Sequence, residues 1–354
     1  MNRYLVLENG KVLKGTAFGA DREVTAEIVF TTAMTGYIET LTDKSYKGQA
    51  VVQTFPLIGN YGIIREDQES GTAGLSAYIV REWCAHPSNF RCDTDLDSYL
   101  KENQIPGICG IDTRALTKML REHGTMNGFI TDDPSRADLE QIRAFRCENP
   151  VSQVTIHEPT LFRGRASRRL VVMLDFGRKD NILRSLLERD CDVWVLPAST
   201  SPKEVLKYKP DGIFLTHGPG DPAENTEIIK NLRELLESGI PMMGICLGHQ
   251  LLALAHGFQT EKMKYGHRGA NQPVKDGKTG RIYITSQNHG YAVREDSIDT
   301  SVAETSFVNV NDGTNEGLRY KNYPVYSVQF HPEACGGPKD TDFLFDDFLG
   351  MLKR

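Results

Sequence analysis

The chain has 354 residues, 39% of them hydrophobic and 25% charged, a balance that fits a globular protein with room for two cores. Its formal net charge is −6, with acidic and basic residues interleaved, so its field repels a polyanion and nucleic acid is not an expected partner. No apolar run approaches the ~18 residues of a membrane span, and the segment Met1-Asn2-Arg3-Tyr4-Leu5-Val6-Leu7 lacks a signal-peptide core, so the expectation is a cytoplasmic protein without membrane association.

Through residue 150, Gly-punctuated strand patterns (Tyr4 to Leu7, Glu27 to Phe30, Ala50 to Gln53, Tyr78 to Val80) mix with one clear helix, Asp112 to Glu122, which Asp112 can N-cap. These imply an α+β domain over 1–150. Residues 151–168 contain the basic stretch Phe162-Arg-Gly-Arg-Ala-Ser-Arg-Arg169 without apolar periodicity and read as a linker. From 169 to 354 short apolar runs alternate with helix-like segments: Leu170 to Leu174, Val193 to Leu196, Ile213 to Thr216 and Met242 to Cys246 as strands, with Asn181 to Leu187 and Ile228 to Leu236 as helices. That alternation is the signature of βαβ units around a mostly parallel sheet, so the fold class is α/β, a doubly wound C-terminal domain behind an α+β one. Arg281 to Thr285 and Tyr326 to Phe330 read as later strands, and Asp340 to Leu352 as a closing amphipathic helix.

The seven cysteines, at 84, 92, 109, 147, 191, 246 and 335, form no Cys-x-x-Cys pair, which argues against a disulfide framework or a zinc site; no metal is expected. Cys246 stands apart from the others. Gly244-Ile245-Cys246-Leu247-Gly248 joins an apolar strand to a helix-like run, His249 to Ala255, as a G-x-C-x-G nucleophile elbow does. The turn lifts the sulfur above the sheet edge at a helix N-terminus, where the dipole favours the thiolate. A buried structural cysteine in a tight turn is the plainer alternative. In Gln329-Phe330-His331-Pro332-Glu333, extended backbone projects His331 and Glu333 to one side, so the carboxylate can fix the imidazole tautomer and leave the other nitrogen to take a thiol proton. A surface turn is the alternative there. The loop His217-Gly218-Pro219-Gly220-Asp221-Pro222 follows a strand; an N–H from it, with the N–H of Leu247, forms a possible oxyanion hole, and no Gly-Lys-Ser/Thr marks it as a phosphate loop.

Taken in order, the G-P-G-D-P loop, the G-x-C-x-G-x-Q elbow and the H-P-E turn resemble the class I (triad) glutamine amidotransferases. Thr31 to Asp43, Pro56 to Gly62, Gly107 to Arg114, Lys179 to Arg184 and Ser286 to Tyr291 resemble the small subunits of carbamoyl-phosphate synthetases. The resemblance implies catalysis by Cys246, His331 and Glu333, with L-glutamine held by Ser45, Gly218, Gly220, Leu247, Gln250, Asn288, Gly290 and Tyr291. It also implies a separate large subunit, contacted by the N-terminal domain, that carries ATP and Mg and makes carbamoyl phosphate for arginine and pyrimidine biosynthesis; no cofactor is expected on this chain. Tyr291, Arg268, Ala270, Gln272 and Cys335 depart from the residues usual at their positions. A stand-alone thiol amidase is a competing reading that leaves the first half unexplained. A silent glutamine sensor is another, opposed by the presence of Cys246, His331 and Glu333.

Overall fold

Short apolar runs place strands in both halves, and the continuous apolar runs of the second place strands covered on both faces. The computed structural model describes residues 1–352; positions 353–354 of the expected 169–354 domain lie outside the described residues. The chain divides into two compact units, Met1–Glu148 and Asn149–Arg354.

The first unit runs β1 (Asn2–Leu7), β2 (Val12–Gly19), β3 (Val24–Thr31), α1 (Tyr37–Thr42), β4 (Gln49–Gln53), β5 (Leu57–Ile58), β6 (Ala77–Ile79), β7 (Glu82–Trp83), α2 (Leu96–Glu102), β8 (Pro106–Cys109), α3 (Thr113–His123), β9 (Met126–Thr131) and α4 (Leu139–Ala144). Its main sheet closes into a barrel in the order β1-β2-β8-β6-β4-β3-β9, with β9 returning antiparallel to β1, while β5 and β7 pair separately. Closure removes the unpaired edges that an open sheet would leave. Val29, Val51 and Tyr78 of the barrel pack with Ile38 and Leu41 of α1 and with Leu96, Tyr99 and Leu100 of α2. Asp112 caps α3 by accepting the Ala115 N–H at 3.0 Å, as its position before the helix predicts.

The second unit runs β10 (Thr160–Phe162), β11 (Arg169–Asp175), α5 (Asp180–Glu188), β12 (Cys191–Pro197), α6 (Pro202–Lys207), β13 (Gly212–Leu215), α7 (Thr226–Leu236), β14 (Met242–Ile245), α8 (Leu247–Ala255), β15 (Thr260–Asp276), β16 (Ile282–Val293), β17 (Ala303–Asn309), β18 (Asn315–Tyr320), β19 (Val325–Val328) and α9 (Phe343–Met351). One ten-stranded sheet has the order β10-β12-β11-β13-β14-β19-β18-β17-β15-β16. The strands from β12 through β19 are parallel, and pairing turns antiparallel on both flanks. Val172 and Leu174 of β11 face one core with α6, α7 and α8; Val171 and Met173 face the other with α5 and α9. Burial on both faces explains why these strands read as unbroken apolar runs.

Two boundaries differ from the sequence reading. The stretch 151–168 read as a linker begins inside a 3-10 turn, Pro150–Gln153, and contains β10, Thr160–Phe162, hydrogen-bonded to β12, so it belongs to the second unit. Of the strand read at Arg281 to Thr285, Ile282 to Thr285 is only the start of β16, which continues to Val293 and carries Asn288, Gly290 and Tyr291.

Candidate active site

Cys246 follows β14 directly and precedes α8, with φ 52° and ψ −103°. This conformation lies outside the ordinary left-handed well and costs about 1–3 kcal/mol for a residue with a side chain. The surroundings impose it. Cys246 N–H donates to Val328 O of the neighbouring β19 at 2.8 Å, and Gly248 lies so close to β13 that a Cβ there would sit 2.5 Å from Leu215 O. The thiol is 2% exposed and lies 3.7 Å from Asn288 O on β16. Leu247 opens α8, so its N–H is among those a helix leaves without an intrahelical acceptor.

His331 and Glu333 stand past the end of β19, the strand beside β14, and both are buried. His331 N–H donates to Ser286 O at 2.9 Å, pinning the histidine to the same β16 whose Asn288, two residues on, faces the thiol. His331 Nδ1 lies 2.6 Å from Glu333 Oε1. A carboxylate accepts and does not donate, so the proton is assigned to Nδ1 and the lone pair to Nε2. That Nε2 is buried with no protein hydrogen-bond partner among the described residues, as is Glu333 Oε2. Burial alone would raise the Glu333 carboxyl; the His331 ring and the Lys179 ammonium more than offset it and hold the group at about 2. Glu333 is therefore a fixed negative charge behind the imidazole.

Lys179, which precedes α5, places Nζ 3.4 Å from His331 Nδ1 and 3.8 Å from Glu333 Oε1. Asn181 Nδ2 donates to the Glu333 carbonyl. The His217 ring meets that of His331 edge-on at 5.2 Å between centroids. His217, His331 and Glu333 bring ligand-type atoms within 4.8 Å of one another, but the ammonium already beside two of them disfavours a cation. The arrangement is built to move protons.

The Gly-rich loop packs against the elbow: a Cβ on Gly218 would lie 2.3 Å from Phe176 O and 2.8 Å from Leu247 Cδ2, so only glycine admits this approach. Gly220 belongs to the same loop. Gln250, on α8, donates through Nε2 to Tyr291 O at 2.8 Å and to Gln329 Oε1 at 2.9 Å, tying the helix to β16 and β19. Cys246, Leu247, Gln250, His331, Glu333, Gly218, Gly220, Asn288, Gly290 and Tyr291 thus all belong to the second unit. Ser45 belongs to the first, in a 3-10 turn where its N–H and Oγ both donate to Asp43 Oδ1, at 2.9 and 2.5 Å.

The class-I glutamine amidotransferase family model matches residues 172–351, and that of the carbamoyl-phosphate synthase small chain, CPSase domain, matches 5–130. A carbamoyl phosphate synthase small chain from Bacillus anthracis is 51% identical over 358 residues, covering 100% of this chain and 97% of that one. The protein of the same name from Clostridium perfringens (strain 13 / Type A) is 48% identical over 351 residues, covering 99% of each. The chain belongs to the carbamoyl-phosphate synthase small-chain family.

Some of what the fold gathers around His331 and Glu333 was not picked out in the sequence as part of a site. Lys179 and Asn181 lie within a segment that resembles the family, yet nothing local to Lys179-Asp180-Asn181 says that they reach residues 152 positions away. His217 opens the Gly-rich loop that the sequence singled out, but its side chain was given no role there. His249, inside the elbow motif, is a different case: Nδ1 meets Ser327 Oγ at 2.8 Å and burial pushes the ring down to about 3, so it is a neutral core histidine.

Proposed function

We propose that this chain hydrolyses L-glutamine at Cys246 and delivers the ammonia to a large subunit that makes carbamoyl phosphate. As a family member the chain is the glutamine amidotransferase subunit of a carbamoyl phosphate synthase. The observation that carries the reading of the site is the juxtaposition on β16: Asn288 O faces the strained thiol and Ser286 O fixes the buried His331–Glu333 pair.

Cys246 Sγ attacks the side-chain amide carbon of glutamine, forming the C–S bond as His331 Nε2 takes the thiol proton. The tetrahedral oxyanion is held by the Leu247 N–H together with an N–H of the 217–222 loop. His331 returns the proton to the amide nitrogen, the C–N bond breaks, and ammonia leaves a γ-glutamyl thioester. Water, deprotonated by His331 Nε2, adds to the thioester; glutamate departs and the thiol is restored. Glu333 stabilises the imidazolium in both halves and holds its tautomer. Gln250, Asn288, Gly290, Tyr291 and the glycines 218 and 220 surround the substrate, and the family resemblance adds Ser45 to this set. ATP and Mg belong to the large subunit, which the first unit contacts, and the product serves arginine and pyrimidine synthesis in the cytoplasm.

The test reconstitutes the chain with its large subunit and measures carbamoyl phosphate formation from glutamine and from ammonium salts side by side. Cys246→Ser is expected to remove the first and leave the second, because a serine hydroxyl is barely ionised near neutral pH. A parallel fall of both activities in an intact complex would overturn the division of labour.

A further inference from the structure

Behind the strand that faces the thiol lies a second set of buried ionisable groups for which the mechanism above has no use. His267 on β15, His289 on β16 and Glu316 on β18 are all buried, with ligand-type atoms within 4.8 Å of one another. They form a continuous path. Asp312 Oδ2 lies 2.8 Å from His267 Nε2, and His267 Nδ1 lies 3.4 Å from Glu316 Oε1. Asn309 Nδ2 donates to Glu316 Oε1 at 3.1 Å. Glu316 Oε2 meets the Gln287 amide at 3.0 Å, the other end of that amide meets His289 Nε2 at 2.9 Å, and His289 Nδ1 meets Tyr291 O at 2.8 Å. Tyr291 O also accepts from Gln250, so the path ends on backbone placed around the substrate.

Counting donors along this path exposes a mismatch. Tyr291 O can only accept, so the bond to it requires a proton on His289 Nδ1. A neutral His289 then presents a lone pair at Nε2, which must receive the Gln287 NH2 group. This turns the Gln287 carbonyl toward Glu316, and two acceptors meet unless Glu316 carries a proton. With the Gln287 amide the other way round, its NH2 satisfies an ionised Glu316, but its carbonyl faces His289 Nε2, which must then be protonated as well as Nδ1. Amide orientation is assigned from such networks and not observed directly, and both assignments lead to one conclusion. The path closes only when it holds one proton more than an ionised Glu316 and a neutral His289 supply.

We propose that Glu316 is a positioning residue for glutamine binding, holding a buried proton that, relayed through Gln287 and His289, fastens the Tyr291 carbonyl. Burial raises the Glu316 carboxyl, with His267 opposing, and holds His289 well below its ordinary range, so burial favours Glu316 over His289 as the holder of the proton. In that state the Gln287 carbonyl faces Glu316 and, at 3.2 Å, the Thr285 hydroxyl, which can donate to it. The charged and titratable groups facing the path are His267 and Arg268 on β15, Asp312 before β18, and His331 past β19. Every ring nitrogen of His267 and His289 already has a protein neighbour, so a metal ion would have to displace this network.

The inference rests on the proposed glutaminase reading for the identity of the ligand near Tyr291. Ammonia release by the unaltered complex tests that reading by itself; the variants below test the relay. Glutamine KM and kcat are measured in the full complex from about pH 6 to about pH 9. For the unaltered chain KM is expected to rise with pH as the proton is lost. Glu316→Gln supplies a permanent NH2 to the Gln287 carbonyl, so its KM stays low and loses that pH dependence. Gln287→Leu cuts the path and is expected to raise KM about tenfold, the worth of one buried hydrogen bond, with kcat within about threefold. The proposal is overturned if Glu316→Gln keeps the wild-type pH slope, if Gln287→Leu lowers kcat as much as it raises KM, or if the purified complex carries stoichiometric zinc that Glu316→Gln releases. Should Gln287→Leu fail to fold, the pH slope of Glu316→Gln decides alone.

Discussion

The buried Arg3 of the first unit and the buried His331–Glu333 pair of the second are satisfied to different degrees. In the barrel the guanidinium of Arg3 is 2% exposed and saturated: Nε donates to Asp132 at 3.0 Å, and Nη1 to the carbonyls of Ala20 at 3.0 Å, Gly107 at 3.3 Å and Phe18 at 3.4 Å. It laces together β1, β2 and β8 and the turn after β9. In the second unit His331 Nε2 and Glu333 Oε2 are just as buried but lack protein partners among the described residues, although leaving such atoms unsatisfied costs about 1–3 kcal/mol each. Arg3 is saturated by contacts that join strands, whereas His331 Nε2 keeps a lone pair that can take a proton.

If that contrast is right, substitutions in the two places fail differently. The largest expected effect is at the nucleophile, where Cys246→Ser should lower glutaminase kcat by at least ~10⁴ with thermal stability almost unchanged, read by single-turnover ammonia release beside a melting curve. His331→Asn should follow at about 10³, within the range for losing a proton carrier. Equal, negligible losses for His331→Asn and Glu333→Gln would mean that the His-Pro-Glu turn is ordinary structure. Arg3→Met should do the reverse, lowering unfolding free energy by about 3 kcal/mol because Asp132 loses its partner, while kcat per folded molecule stays within about twofold. Denaturant titration with activity measured on the folded fraction checks this.

Two smaller effects sharpen the comparison. Glu333→Gln keeps an acceptor for His331 Nδ1–H but removes its charge, so kcat should fall only about tenfold, the difference between a charge-assisted and a neutral hydrogen bond. The pH dependence of stability should come from the second unit. Burial alone would lower the His267 pKa, but the ring donates to the Asp312 carboxylate and lies beside Glu316, which together raise it from 6.5 to about 9. A raised pKa stabilises fully below pH 6.5 and loses that contribution as pH climbs to about 9. Asp312 is half exposed, so solvent screening leaves a loss on the order of 1 kcal/mol. Melting curves should show the decline for the unaltered chain and a flatter profile for His267→Gln.

The elements that sequence periodicity described well are those whose burial is set locally. The runs at 170–174, 193–196, 213–216 and 242–246 became β11 to β14 because each is covered on both faces whatever its neighbours are. The flanking strands β15, β17 and β18 were not legible. β15 and β17 are partly exposed, and β15 spans Thr260–Asp276 with register shifts that interrupt its alternation; β18 is buried but opens on Asn315, Glu316 and Gly317, so no apolar run marks it. Closure of the barrel was equally hidden, since pairing of β9 with β1 joins residues more than a hundred positions apart.

Sequence by itself singled out Cys246, His331 and Glu333, because each sits in a short motif whose geometry is local: two glycines around Cys246, and a single proline between His331 and Glu333. Only the tertiary structure decided what surrounds them. Lys179, Asn181 and His217 reach the His331–Glu333 pair, and the Asp312-to-Tyr291 path reaches the strand beside the thiol, through contacts between elements that the parallel crossovers and antiparallel flank bring together. Hydrogen-bond distance is set by the fold of the sheet, and spacing along the chain carries no record of it.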